Sequence, residues 1–208
     1  SRALLERLAR RELTVDGFQD AIARLHAELD LPRLLAPWIE RSLAERRNQV
    51  LYRRTFATGR ETIQLFNLEP HEVHPPHGHH NIVSTQVVLA GRVRCREYDR
   101  VARLDADTLL LRPRFDGWLE VGDAMRTTEV ERNVHWFAAG DAPAVMLNFS
   151  AYGYQDWTFD GKDRPFRRSL VDPAQGTTPD GLAIAREADV ETVYARFGGR
   201  PIDDFPLP

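Results

Sequence analysis

Five of the seven histidines in this chain fall within the fourteen residues from Leu68 to Asn81, as His71, His74, His77, His79 and His80. A neutral imidazole offers a lone pair, which makes it the commonest protein ligand for a catalytic first-row metal. Side chains at i and i+2 of a strand share one face, so His77 and His79 can hold one ion together. Two ligands do not make a site, and only His26 and His135 lie outside the cluster. His26 sits in a helical pattern and reads as a partly exposed helix residue. His135 lies in Asn133-Val134-His135-Trp136-Phe137, a strand-like run before Gly140, and is the better third candidate. His71, His74 and His80 read as the rim of the site, with His80 or His74 as the alternative ligand.

The elements around this cluster change period along the chain. Residues 1–49 read as helices: Leu4, Leu5 and Leu8 share one face, and Phe18, Ile22, Leu25 and Leu29 share another. Thr14 or Asp16 is placed to cap the second helix. A third helical stretch from Pro32 carries Leu35, Trp38, Ile39 and Leu43, with alternating Arg and Glu as its solvated face. From residue 50 the period becomes two. Val50–Tyr52, Thr62–Phe66, Ile82–Leu89, Val93–Tyr98, Thr108–Leu111, Trp118–Val121, Met125–Val130 and Ala144–Phe149 read as short strands. Such a series without intervening helices predicts a β-sandwich or barrel over residues 50–160. The pattern fades from residue 161, leaving 161–208 as an extension with a loop at Thr177–Gly181 and a short helix capped by Asp189 and ending near Gly198-Gly199.

Composition excludes several classes. With 208 residues, 42% hydrophobic and 28% charged, the chain has the balance of a globular protein with one core. A single cysteine, Cys95, rules out a disulfide framework and a cysteine-built zinc site; it reads as core filling. A net charge of -3 argues against a general nucleic-acid binder. No apolar run has the length of a membrane-spanning helix. The absence of a signal-like apolar start makes a cytoplasmic protein the expectation. Trp118, Trp136 and Trp157 read as core or pocket wall.

A His-x-His pair, a strand running to a glycine and a distant third histidine resemble the cupin fold, a double-stranded β-helix or jelly-roll-like barrel. Common cupins also place a glutamate ligand about seven residues before that glycine; here the position is Ser84. The resemblance therefore implies a metal set of His77, His79 and His135 with no carboxylate. That departure resembles the thiol dioxygenases, in the branch of cysteamine dioxygenase and the plant cysteine oxidases. His77-Gly78-His79 and Val87-Val88-Leu89-Ala90-Gly91 match the first motif, and Gly91-Arg92-Val93-Arg94 with Asp99 match the next strand. Pro143, Ala144, Leu147 and Tyr154 fall where the family carries similar residues, whereas Asn148 replaces its usual aspartate. The likeness covers residues 50 to 155. It implies Fe(II) as cofactor, with zinc or nickel as alternatives, and O2 and a small molecule as partners. Arg54 resembles the arginine that holds a substrate carboxylate in related cysteine dioxygenases, and Tyr154 and Asn148 are its candidate catalytic groups.

Three neutral ligands leave a divalent metal more positive than a triad containing a carboxylate, which suits an anionic donor such as a thiolate. A thiol oxidised to a sulfinate is the first reading. A cupin oxygenase on a non-thiol molecule, a metal-binding module without turnover and a zinc hydrolase or isomerase remain open beside it. The N-terminal helices pack on the barrel or form a homodimer contact. Neither nucleic acid nor membrane is an expected partner.

Overall fold

The computed structural model describes residues 2–56, 59–154, 166–205 and 207. Four helices come first: α1 (Arg2–Ala9), α2 (Val15–Ala27), α3 (Leu31–Leu34) and α4 (Ala36–Glu45). Eleven strands follow among the described residues. They are β1 (Gln49–Phe56), β2 (Gly59–Leu68), β3 (Val73–His80), β4 (Ile82–Ala90), β5 (Val93–Arg103) and β6 (Thr108–Leu119), then β7 (Ala124–Thr127), β8 (Val134–Ala139), β9 (Ala144–Tyr152), β10 (Arg167–Thr177) and β11 (Ala183–Ala188). Helix α5 (Val190–Phe197) comes after them. No helix of the described residues is long and apolar enough to cross a membrane.

The strands form an antiparallel five-stranded sheet, β1-β2-β9-β4-β7, facing a second sheet whose six strands, β10-β11-β6-β5-β8-β3, close into a ring. This is the cupin double-stranded β-helix that the motif implied, with its second sheet curled shut. Period-two alternation sorts the side chains of the five-stranded sheet. Odd-numbered Leu65, Val83, Val87, Leu147 and Phe149 pack outward under the helices, against Leu5, Leu8, Phe18 and Ile22 at one end and Leu31 and Ile39 at the other. Burying each of those large side chains contributes about 1.5–3 kcal/mol. Central strand β4, covered on both faces, is buried almost end to end. Even-numbered Phe66, Val88 and Met146 look the other way and meet Val93, Cys95 and Phe137 in the core between the sheets. A third core fills the ring: Tyr98, Leu109, Leu111, Val134, Val171, Ala183 and Ala185.

Several expectations hold. Thr14 caps α2 by accepting the Gly17 N–H at 3.1 Å, Asp189 caps α5 by accepting that of Thr192 at 2.8 Å, and Cys95 is wholly buried. Others need correction. Leu25 and Leu29 are exposed although they continue the spacing of Phe18 and Ile22, because the sheet reaches only the first half of α2's apolar stripe. Thr108–Leu111 and Trp118–Leu119 are the two ends of one strand, and Pro113 between them sits at a register shift opposite Tyr98. Trp118 is neither core nor pocket wall; it is 41% exposed, beneath the Arg92 guanidinium at 4.3 Å. Trp136 is core, and Trp157 lies outside the described residues.

The largest correction concerns residues 161–208. Strands β10 and β11 bridge β3 to β6 and so complete the ring. Pro173 and Gly176 interrupt the period of β10, whose register with β11 shifts between Asp172 and Gly176. β11, Ala-Ile-Ala-Arg-Glu-Ala, is built largely of helix formers. Pairing to strands distant in sequence overrides both local signals.

Candidate metal centre

His77 and His79 stand on the same face of β3, and His135 on β8 is the registered partner of His77. One ring nitrogen from each lies within 4.8 Å of the others, and all three side chains are buried. Gly78 between the ligands faces the ring, where an added Cβ would come within 3.1 Å of Asn133 Oδ1 and 3.3 Å of Val134. A small residue is thus what lets both histidines lie flat on the opposite face. Asn133 pins the same strand: its Nδ2 donates to the His79 carbonyl at 2.6 Å and the Thr128 carbonyl at 2.8 Å.

The imidazoles are oriented by their second nitrogens. His77 Nδ1–H donates to the Pro75 carbonyl at 2.9 Å, which leaves the Nε2 lone pair free. His135 Nδ1 meets Thr127 Oγ1 at 3.0 Å, and Gln19 of α2 donates to the Thr127 and Ser84 carbonyls, at 2.9 and 3.1 Å. The His77 and His135 Nε2 atoms face each other at 2.8 Å, a separation at which two lone pairs repel unless a proton or cation lies between them. His79 Nδ1 is buried with no hydrogen-bond partner. Burial above all, then the positive charge of Arg168, holds His77 far below the usual imidazole range; burial and then the neighbouring imidazoles do the same for His135. Burial and Arg168 push His79 down to about 3. Three neutral, converging imidazoles with an orphaned buried nitrogen fit a divalent first-row metal.

The facing sheet supplies a neutral polar wall. Gln64, Asn148 and Gln86 lie side by side in register across β2, β9 and β4. Ser150 Oγ–H donates to Asn148 Oδ1 at 2.8 Å. Ser84, where common cupins carry glutamate, lies one row away between Ser150 and Thr127, and its buried hydroxyl has no partner. The space enclosed is about 320 Å³, walled by these amides, by His74, Phe66 and Phe137, and by Arg60 and Arg168 toward the mouth. No Asp or Glu lines it among the described residues.

The predicted residues divide. His77, His79 and Asn148 line this cavity, and His135 converges with the two histidines behind its wall. Arg54 does not: it is paired in register with Glu61 on the helix-covered face, 3.7 Å from the carboxylates of Glu61 and Glu6. Tyr154 does not either. Strand β9 ends at Tyr152, Gly153 turns the chain at a φ of 64°, and Tyr154 is delivered into the cluster of Leu5, Phe18 and Val83. His74 lines the cavity, with Arg168 against its Nε2 and its ring stacked on Phe137 at 4.7 Å. His80 points into the ring and is no alternative ligand. Arg100 donates to its Nδ1 at 2.8 Å, with Glu129 at 3.5 Å and Glu187 at 3.4 Å. His71 is exposed, and His26 is partly buried on α2 as expected.

Gln64, Gln86, Thr127, Asn133, Arg60 and Arg168 escaped the sequence reading. Gln64 and Gln86 did leave a signal, Gln64 as an amide between Ile63 and Leu65 and Gln86 as one followed by Val87 and Val88, each in a strand-like run.

No family model matches the chain, and no curated protein matches it. Among solved structures, KdgF from Halomonas sp. aligns with 50% of this chain and 76% of its own, at 13% identity and a TM-score of 0.35. An uncharacterized conserved protein with a double-stranded beta-helix domain from Klebsiella pneumoniae aligns with 49% of this chain and 72% of its own, at 16% identity and a TM-score of 0.33. The L-ribose isomerase of Cellulomonas parahominis aligns with 44% and 49%, at 19% identity and a TM-score of 0.34. Likenesses this remote assign no activity. The class, a cupin-type barrel with a buried three-histidine pocket, is defined by the chain's own strand order and side chains.

Proposed function

We propose that the three-histidine pocket is the mononuclear metal centre of an oxygen-using enzyme acting on a small molecule, with iron(II) as the metal. The observation that carries this reading is the convergence of His77, His79 and His135, neutral and buried, beside a cavity that His77 and His79 line with no carboxylate among its described lining. When bound, iron(II) supplies activation of O2 and a position for an anionic substrate donor. The chain's own part is to hold that donor set rigid, through Pro75, Thr127 and Asn133, and to present the Gln64, Asn148 and Gln86 amides to the substrate's polar groups. A small thiol is the first substrate to test. Both oxygen atoms of O2 would join sulfur, so the four-electron oxidation of thiol to sulfinate balances the four-electron reduction of O2. Asn148, one of the two candidate catalytic groups, keeps a place at this wall; Tyr154 does not.

The test is metal analysis of anaerobically purified protein, followed by oxygen uptake with a panel of thiols and of thiol-free acids. Near-stoichiometric iron with thiol-dependent uptake is the expected result. Uptake only with thiol-free acids would move the enzyme to another oxygenase class, and zinc without uptake would overturn the oxygenase reading.

A further inference from the structure

The three histidines are not supported alike. His77 and His79 share β3, and the ring of His77 is held by the Pro75 carbonyl of that same strand at 2.9 Å. His135 belongs to β8 of the ring, yet its Nδ1 meets Thr127 Oγ1 on β7, a strand of the facing sheet, at 3.0 Å. With Nε2 turned toward His77, Nδ1 is the protonated nitrogen and donates to that oxygen. The aim of the third imidazole therefore depends on where the opposite sheet puts Thr127.

That end of the facing sheet has little of its own to fix it. β7 is four residues long, lies at the edge of its sheet beside β4, and ends at Thr127. Support comes from the helical layer. Gln19 Nε2 donates one hydrogen to the Thr127 carbonyl at 2.9 Å and the other to the carbonyl of Ser84, the β4 residue paired with Thr127, at 3.1 Å. Gln19 is 4% exposed and is the one polar residue among the three that α2 buries. The other two, Phe18 and Ile22, pack on Val83 and Phe149 of the same sheet and anchor the helix that delivers the amide. An apolar side chain would serve that packing equally well; an amide adds two directed bonds across the strand pair. We infer that Gln19 is a positioning residue of the metal centre: by clamping the Ser84–Thr127 pair it fixes the hydroxyl that aims His135, and it makes the N-terminal helical layer a working part of the site. The inference rests on the three-histidine pocket being that centre.

Two readouts on the full chain decide it, and one of them needs no metal. Long-range proton–nitrogen NMR spectra of metal-free protein with isotope-labelled histidines report the tautomer and hydrogen bond of each ring, and the His135 signals are identified by their loss in His135→Ala. Gln19→Met, which keeps the side chain's length and removes both donors, should move the His135 ring signals and leave those of His77 in place. Chelator competition with cobalt(II) should show affinity falling about 10-fold, with the visible absorption bands of the bound cobalt shifted. Ile22→Ala is the control, because it loosens the same helix face without touching either carbonyl. It should lower the urea midpoint and leave the His135 signals, the cobalt affinity and the bands as in wild type. Gln19→Asn, whose amide is drawn back by one carbon, takes the place of the methionine variant if circular dichroism shows the latter unfolded. Unmoved His135 signals in the Gln19 variant, or equal movement in Ile22→Ala, would overturn the clamp alone. A wild type that takes up no cobalt would instead remove the metal centre itself, whatever the spectra of the Gln19 variant show.

Discussion

His79 and His80 are neighbours on β3, yet one faces the cavity between the sheets and the other the interior of the six-stranded ring. In the ring the described charges around His80 have counterparts. His80 meets Arg100, Glu129 and Glu187, and Glu187 in turn receives Arg103 and Arg167, both at 2.8 Å. Burial alone would raise the Glu187 carboxyl, but hydrogen bonds from His80 and Arg103 and the charges of Arg103 and Arg167 outweigh it and hold it down at about 2. Between the sheets the polar groups are left over: a bare His79 nitrogen, a lone Ser84 hydroxyl, and Arg60 with no acid among the described residues. Groups that satisfy one another hold a fold together. Groups left unsatisfied in an enclosed space await a ligand.

This contrast can be broken at either side. The largest effect expected is from His135→Ala or His77→Ala, which should reduce iron from near one per chain to almost none while the far-UV circular dichroism stays unchanged. Full retention would move the centre to other donors, His74 first. On the ring side, Glu187→Gln should cost about 3 kcal/mol in urea unfolding near neutral pH and leave the iron content alone. The sign follows from the lowered carboxyl: its contribution is complete above its ordinary value near 4.5 and is lost as pH falls toward 2. Wild type should therefore lose stability across that window, and the glutamine variant should lose less. Iron loss in Glu187→Gln would mean that the two enclosures are coupled.

A smaller effect belongs to Thr127→Val, which keeps the side chain's shape and removes the oxygen beside His135 Nδ1. Competition with a chelator should show metal affinity falling about 10- to 100-fold with little change in the urea midpoint. Smallest is Tyr154→Phe, whose hydroxyl lies in the helix-side cluster. Stability should move by no more than about 1 kcal/mol, with iron content and oxygen uptake unaltered. A large drop in uptake would return Tyr154 to the site.

The three-histidine cluster was legible because strand alternation is a strict period: His77 and His79 share a face whatever the strand's neighbours are. The third histidine followed from the shortage of others. Arg54 went astray for a related reason. Adjacent residues of a strand face opposite ways, and nothing local says which face of β1 the helices will cover. Tyr154 would have followed Asn148, Ser150 and Tyr152 inward had β9 continued, but Gly153 ends the alternation. The helices and seven of the first nine strands were visible in outline from residue types, with β6 split into two runs and β3 and β8 recognised only around their histidines. β10 and β11 were not, because their partners lie far away in the chain and their own residues favour other states.

Strand β3, which carries two of the three converging histidines, is clasped between β8 and β10. On a ribosome those flanks arrive at different times. The segment holding His135 comes first, and Arg167, the partner of His80, is made only after it. Until then one edge of the histidine strand has its backbone groups open to water or to another chain. The histidine strand is therefore sealed by residues made after all three histidines, and a nascent chain stopped before β10 would carry His77 and His79 on a strand with an unguarded edge.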